Sequence, residues 1–156
     1  MRSLALLKYQ RGLAMVEAAI TLPFLIFVML AATEFTNAFV THTTLTKAVR
    51  DGARWAAEDA VNFSTRQWEL DANLKADIRN LVVYGNKGGT GAAIVPGLTA
   101  ANVSVDRLGT TSNVQVSVTY PYSGLLGSVL PTFGYGSNIS LLFNMSATVT
   151  MRVLYD

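Results

Sequence analysis

The stretch RGLAMVEAAITLPF, residues 11–24, decides the fold because it opens a membrane-length apolar run that contains one acid. The run extends from Leu13 to Ala32, and Glu17 is its only charged residue. Twenty helical residues span about 30 Å, the thickness of the hydrocarbon core of a bilayer. The sequence therefore predicts a transmembrane helix over residues 13–32, with a carboxylate near its beginning.

Basic residues precede this run, with no acid among them: Arg2, Lys8 and Arg11. Positively charged flanking residues hold their side of a membrane helix in the cytoplasm. We therefore expect a single-pass membrane protein whose N-terminus is cytoplasmic and whose remainder lies outside the cytoplasm.

Two ordinary kinds of N-terminal segment are alternatives. A cleaved secretory signal has an apolar core of about 7–15 residues followed by small residues. The present run is longer, and VMLAATEF offers only a weak cleavage site, near Thr33. A plain uncleaved anchor explains insertion but not Glu17, because an acid at mid-helix costs about 2.5–3.5 kcal/mol on insertion scales and less near the interface. An acid inside a membrane helix indicates a function by default.

A basic leader ending in Gly12, with Glu17 as the fifth residue after it and an apolar helix beyond, resembles the type IV prepilin signal. RGLAMVEAAITLPFLIF more closely resembles the opening of TadE-like minor pilins, or pseudopilins, of the tight-adherence (Flp) pilus. VRDGARWAAEDA at 49–60 is similar to the family's Gly-Ala-Arg-aromatic-Ala stretch, and VTYPY and SATVTMRV to its late strands. The resemblance implies a protein of the bacterial inner membrane, in which a membrane-embedded prepilin peptidase cuts between Gly12 and Leu13.

The resemblance also implies a role for Glu17. After cleavage Leu13 carries a free ammonium, and the Glu17 carboxylate meets the corresponding ammonium of a neighbouring subunit during assembly. Pairing at low dielectric offsets part of the desolvation cost, and it sets the axial register because a slipped neighbour leaves a charge unmatched. Pairing of Glu17 with its own amine or with a lipid headgroup is the alternative.

The helical pattern does not end at Ala32. Apolar residues recur at three- and four-residue steps, which predicts one helix from Leu13 to about Val61, about 70 Å long. We expect its second half to be the spine of the outer domain, with Gly52 at a close packing contact and Glu34 facing the outer interface. The predicted stripe comprises Phe35, Ala38, Phe39, His42, Leu45, Val49, Ala53 and Ala56.

A second helix is predicted from a capping box at Ser64 and Gln67, with Trp68 on its apolar face and Gly85 as its C-terminal stop. GNKGGTGAA, 85–93, is glycine-rich but lacks the Gly-Lys-Ser/Thr ending of a phosphate loop. We interpret it as a flexible loop.

The remainder is strand-like. NVQVSVTY, residues 113–120, alternates apolar and polar residues, and every odd position from Ile139 to Val153 is apolar. NVSVDRL, 102–108, is a shorter candidate, joined to 113–120 by the turn GTTSN. The sequence therefore predicts an α+β, pilin-like fold with a long N-terminal helix, a shorter second helix and a small C-terminal antiparallel sheet. In the intervening loop, the apolar residues either pack on the sheet or form a partner-facing patch: Leu125, Leu126, Val129, Leu130 and Phe133.

Little in the sequence indicates catalysis, a metal or a cofactor. The chain has no cysteine and one histidine, His42, which we interpret as a packing residue. No nucleophile elbow or metal-ligand spacing is present. The formal charge of +2 includes three basic leader residues, and without them nine basic side chains face ten acidic ones, a net −1. This balance argues against nucleic acid as a partner.

The predicted organisation is a cleaved leader over 1–12, a long helix over 13–61 and an extracytoplasmic α+β domain over 62–156. The predicted function is a structural subunit or assembly factor of a tight-adherence pilus, with roles in adhesion and biofilm. Its expected partners are prepilin peptidase, other pilin subunits and the inner-membrane assembly platform, and assembly would carry it to the cell surface. The alternative is an uncleaved single-pass protein whose outer domain is a scaffold or binding module, with an anchored enzyme third.

Overall fold

The computed structural model describes residues 2–62, 67–109 and 112–153, and the side chains within 12–60, 69–109 and 112–153. The first element is one helix, α1 (Arg2–Asp59), which continues through Pro23. A proline in a membrane helix is tolerated although it removes one backbone donor. The predicted long helix is thus confirmed, and it ends two residues before the expected boundary.

Two very short strands follow α1. β1 (Val61–Asn62) pairs antiparallel with β2 (Gln67–Trp68), and the N–H of Glu69 donates to the carbonyl of Ala60 at 2.9 Å. The predicted start of the second helix is therefore wrong, because Gln67 and Trp68 are in a strand. Ser64 lies outside the described residues.

The second helix, α2 (Ala72–Tyr84), begins at a different cap. Asp71 is its N-cap, and its carboxylate Oδ1 accepts the N–H of Leu74 at 2.7 Å. Gly85 ends the helix as predicted, in the left-handed conformation (φ 72°), and donates its N–H to Leu81. Only glycine adopts this conformation without strain, which explains why the helix stops there.

A 3₁₀ turn (Ala100–Asn102) leads into the main sheet, in which three antiparallel strands pair in their order along the chain. Its strands are β3 (Val103–Arg107), β4 (Asn113–Tyr122) and β7 (Phe143–Arg152). Val116 lies opposite Val105 on one side and Val149 on the other. The predicted strands are confirmed, although the last alternating run divides into two. Ile139–Ser140 forms a separate strand, β6, which pairs with β5 (Val129–Leu130).

The chain divides into two compact units, Met1–Asn37 with Ser123–Leu142, and Ala38–Tyr122 with Phe143–Asp156. The second unit holds the hydrophobic core, in which the apolar stripe of α1 from Leu45 onward meets α2 and the buried face of the sheet. Its largest fully buried side chains are Leu45, Val49, Ile78, Val82, Val83, Val105, Val114, Val116, Val118 and Val153. The confirmed architecture is α+β.

The N-terminal end of the predicted stripe differs from the expectation. Phe35 and Phe39 are largely exposed, and His42 is exposed rather than packed. The fully buried part of the stripe begins at Leu45, although Ala38 is partly buried and packs against the same core. The periodicity identified the correct helix face but not the length over which this chain covers it.

Candidate functional site

The predicted cleavage bond lies on an uncovered part of α1. A Cβ added to Gly12 would meet nothing within 4 Å, and Leu13 is 68% exposed. The bond between them is part of continuous helix. Its cleavage remains a prediction, which the open space beside Gly12 and the exposure of Leu13 support.

Glu17 lies one helical turn beyond Leu13 and is exposed. Its backbone carbonyl accepts the hydroxyl of Thr21 at 2.6 Å, while its carboxylate makes no ion pair with any side chain that the structure describes. A carboxylate at this position on a single apolar helix can reach a partner from outside the chain.

The helix around these residues is apolar and uncovered. It is the one helix within the described residues that is long and apolar enough to cross a membrane, and none of its most apolar window is buried in the chain. A core helix of a soluble domain would be covered by its own fold. Contiguous apolar surface of this extent marks a membrane or protein contact. The exposed residues include Leu13, Met15, Val16, Ile20, Leu22, Phe24, Leu25, Ile26, Val28 and Met29.

Glu34, two residues after the apolar run, is placed differently from the prediction. Instead of facing the outer interface it is buried, with 4% of its surface exposed. One carboxylate oxygen accepts the N–H of Leu125 at 3.0 Å and the other accepts the N–H of Leu126 at 3.3 Å. Both donors lie more than 90 residues away in the chain, so no local pattern around Glu34 could have predicted them.

The two donors are the central residues of a tight turn. The N–H of Gly127 donates to the carbonyl of Gly124 at 3.1 Å, which closes the turn and leaves the N–H groups of Leu125 and Leu126 free to point at the carboxylate. A Cβ on Gly124 would lie 2.6 Å from Oε1 of Glu34. Gly124 is therefore required for this contact, and the GLLG sequence predicts the turn but not the acid that the turn meets.

The turn opens a longer feature, residues 123–142, here called the hairpin segment, whose two sides are joined by the β5–β6 pair. Its far end also contacts α1. The hydroxyl of Tyr135 donates to the carbonyl of Ile20 at 2.8 Å, and its ring meets that of Phe24 edge-on at 6.3 Å. Thr132 is buried and donates to the carbonyl of Gly136 at 2.7 Å, which fixes the tip.

The sequence left open whether the apolar residues of this segment pack inward or face a partner. Leu130 is buried, whereas Leu125, Leu126, Val129 and Phe133 are exposed. Of the two alternatives, packing applies to Leu130, and the other four residues are available to a partner. No charged residue occurs between Arg107 and Arg152, so the hairpin segment adds an uncharged apolar surface to that of α1.

Acidic residues line a cleft at the beginning of α2, among them Asp59, Glu69, Asp71 and Asp77. Asp71 is already used as the helix cap. Within the described part of the chain, no group of three or more His, Asp or Glu residues is arranged to hold a metal ion. The cleft thus offers an acidic surface but no assembled metal or acid–base site.

Comparison with known proteins matches residues 12–54 to the family model described as TadE-like protein. The match begins at Gly12 and covers the apolar run, Glu17, Glu34 and the first part of the packed spine. The resemblance inferred from the sequence is confirmed over this segment. No curated protein and no solved structure gives a match.

Proposed function

We propose that this chain, TadE-like over residues 12–54, is a minor pilin or pseudopilin of a tight-adherence pilus, processed by prepilin peptidase after Gly12. The TadE-like family is a structural family of pilus-associated proteins rather than a family of enzymes. The observation that carries the proposal is the uncovered apolar half of α1, which has one exposed acid five residues beyond an unobstructed glycine.

The first argument is mechanical. α1 is one continuous helix from the predicted membrane span into the core around Leu45 and Val49. A filament subunit whose register is set near the membrane requires continuity at the end of its span, because a flexible linker after Ala32 would uncouple the span from the residues that follow it.

The second argument is electrostatic. Glu17 is exposed and unpaired among the described side chains, yet it lies in a segment that is otherwise suited to lipid. A carboxylate in such a medium is strongly destabilised unless a cation approaches it. A neighbouring chain that begins at Leu13 brings an ammonium on an identical apolar helix. We assign Glu17 the role of binding that ammonium.

The proposed partners follow from the similarity to TadE-like proteins over residues 12–54: the peptidase, other pilin subunits and the inner-membrane assembly platform. The outer residues then serve pilus biogenesis, surface adhesion and biofilm formation. The apolar helix and the family together support a membrane-anchored protein, and we infer that the packed second unit lies outside the cytoplasm because basic residues precede the span.

One observation favours a second candidate. α1 runs without interruption through the bond between Gly12 and Leu13, as it would in an uncleaved single-pass protein that scaffolds an envelope complex. Proteolysis requires this part of the helix to unwind. The two candidates therefore differ in the mature N-terminus.

Intact-mass analysis of the native protein from its own cells separates them. We expect a chain that begins at Leu13. A chain that begins at Met1, in cells that still form filaments, would favour the uncleaved scaffold, and a start near Thr33 would favour ordinary signal-peptide removal.

A further inference from the structure

The hairpin segment is attached to α1 at two levels. Glu34 binds the turn at Leu125 and Leu126, and Tyr135 binds the carbonyl of Ile20. Glu34 and Ile20 are 14 residues apart, or about 21 Å along a helix. The segment therefore follows the apolar helix for two thirds of its predicted span, from the outer end inward.

This arrangement conflicts with lipid around the same helix. Ile20 lies 12 residues inside the span from Ala32, which is about 18 Å. If α1 were in a bilayer with the hairpin segment attached, the tip would lie in the hydrocarbon. Irregular backbone exposed to lipid does not occur at that depth, since no water satisfies its N–H and C=O groups.

The hairpin segment is irregular and only half apolar. Of its 20 residues four are glycine, four are serine, and Thr132 and Asn138 add further polar groups. Only two residues on each side form a strand pair. Its tip contains Phe133 and Gly134 at positive φ, 51° and 92°, which belong to neither helix nor strand. Such a segment is suited to cover an apolar helix next to water, not to replace lipid around it.

We propose that residues 123–142 are a strap that closes on α1 when the apolar helix lies outside lipid, and that a bilayer displaces it. This inference rests on the proposed membrane insertion of Leu13–Ala32. Lipid and the strap compete for the part of the helix that the strap contacts, at Ile20, Phe24 and Glu34, while most of the apolar residues around these stay exposed.

The contacts of the strap are suited to reversal. They include hydrogen bonds and an aromatic pair, and the chain has no cysteine that could lock them. When the strap leaves, Glu34 lies two residues beyond the span, where its carboxylate reaches water. The N–H groups of Leu125 and Leu126 are hydrated as well. Opening therefore leaves no buried charge unpaired, whereas closing removes apolar helix surface from water.

The absence of native cysteine makes the test direct. We would join Phe24→Cys to Tyr135→Cys with a short thiol-to-thiol cross-linker, since their rings are 6.3 Å apart. The full chain would be made by cell-free synthesis without lipid, or with vesicles of phosphatidylcholine and phosphatidylglycerol. Ser104→Cys with Ser117→Cys is the matched control, because these hydroxyls lie 2.6 Å apart across β3 and β4.

We expect the yield of the 24–135 cross-link to fall about tenfold in carbonate-resistant, vesicle-inserted chains. Lipid that binds only the open state shifts the population strongly toward that state. The 104–117 control should not change. Gly124→Val, which places a carbon against Glu34, should lower the 24–135 yield without lipid but leave the control unaffected.

Equal yields of the 24–135 cross-link in inserted and lipid-free chains would overturn the proposal. The hairpin segment would then stay attached to α1 inside the bilayer. The two cysteines remove the ring pair and the Tyr135 hydrogen bond but leave the attachment at Glu34. A yield that is low in both conditions, with a normal control, would therefore overturn the strap as well. Carbonate release from vesicles would instead show that Leu13–Ala32 does not insert, which contradicts the proposed function together with the inference that rests on it.

Discussion

Gly52 of α1 and Val82 of α2 are in such close contact that a Cβ on Gly52 would lie 2.6 Å from Cγ2 of Val82. Val82 is fully buried, and a β-branched side chain has little rotamer freedom in a helix. The glycine weakens α1 locally by about 1 kcal/mol relative to alanine, and the close helix–helix approach compensates for that loss. The packing contact expected at Gly52 is therefore present.

The first prediction concerns this contact. Gly52→Ala should lower the stability of the full chain by about 1–3 kcal/mol despite the gain in helix propensity, because the added methyl overpacks a filled core. Thermal unfolding in detergent, followed by circular dichroism, measures the change.

Val82→Ala provides the control for this prediction. Alone it should destabilise the chain by leaving a cavity, but combined with Gly52→Ala it should cost less than the sum of the two single changes, since the new methyl occupies part of that cavity. Additive effects, or a rise in Tm for Gly52→Ala alone, would show that the two helices do not meet at this point.

The second prediction concerns the cap of α2. Asp71→Ala should lower stability by about 1 kcal/mol, because the N–H of Leu74 loses its acceptor. Asp71→Asn, which keeps an acceptor oxygen, should cost less. Ser64→Ala, at the cap that the sequence favoured, should have little effect. If Ser64→Ala proved the more damaging of the two alanine changes, the assigned helix start would be wrong.

The comparison of these two caps shows what local sequence determines in this chain. Ser64 and Gln67 satisfy the capping pattern, but the pattern takes no account of the β1–β2 pair, in which Gln67 takes part. Asp71 then provides the cap at the point where the chain leaves that pair. By contrast, Gly85 was predicted correctly because its left-handed conformation is a local property of the helix end.

Periodicity likewise identifies the strands and their buried faces, but it does not predict contacts between residues that are far apart in the chain. The alternation in β4 identified its buried face, Val114, Val116 and Val118. Glu34 was assigned to the outer interface because an acid after an apolar run usually faces water. Its partners, Leu125 and Leu126, are supplied by a turn between two strands that no pattern near Glu34 specifies.

The third prediction concerns processing. Gly12→Val should lower the rate of leader removal by more than about tenfold, because a peptidase site at the membrane surface has little room for a side chain. Each 1.4 kcal/mol of steric clash in the transition state reduces the rate about tenfold. Ala19→Val, which adds the same type of side chain within the apolar helix, is the matched control and should be cleaved normally. Immunoblotting of precursor and mature forms measures both. Normal cleavage of Gly12→Val would place the cut elsewhere.

The fourth prediction concerns Glu17, the acid on which the proposed function depends. Glu17→Ala should leave membrane insertion intact or improved, because it removes a charge from an apolar helix. Leader removal should also persist, since residue 17 lies beyond the bond that is cut. Assembly should be lost, because the Leu13 ammonium of a neighbouring subunit would remain desolvated and unpaired, at a cost of about 3–5 kcal/mol.

Glu17→Gln and Thr21→Val make this result specific. The amide keeps the shape of the carboxylate but not its charge, so it should impair assembly nearly as much as alanine. Thr21 lies one turn further along α1 and donates to the carbonyl of Glu17, so its change alters the same helix face while the carboxylate remains. Thr21→Val should assemble normally.

The most direct measurement is the recovery of pilus components with the tagged chain, together with surface filament counts, in cells that carry only the Glu17→Gln copy. We predict a chain that inserts, is cut before Leu13, and shows both recovery and filament number reduced about tenfold or more. Normal recovery and normal filament number, with the mutant chain inserted and processed, would show that Glu17 is a tolerated interfacial acid and would contradict its proposed pairing with a neighbouring subunit.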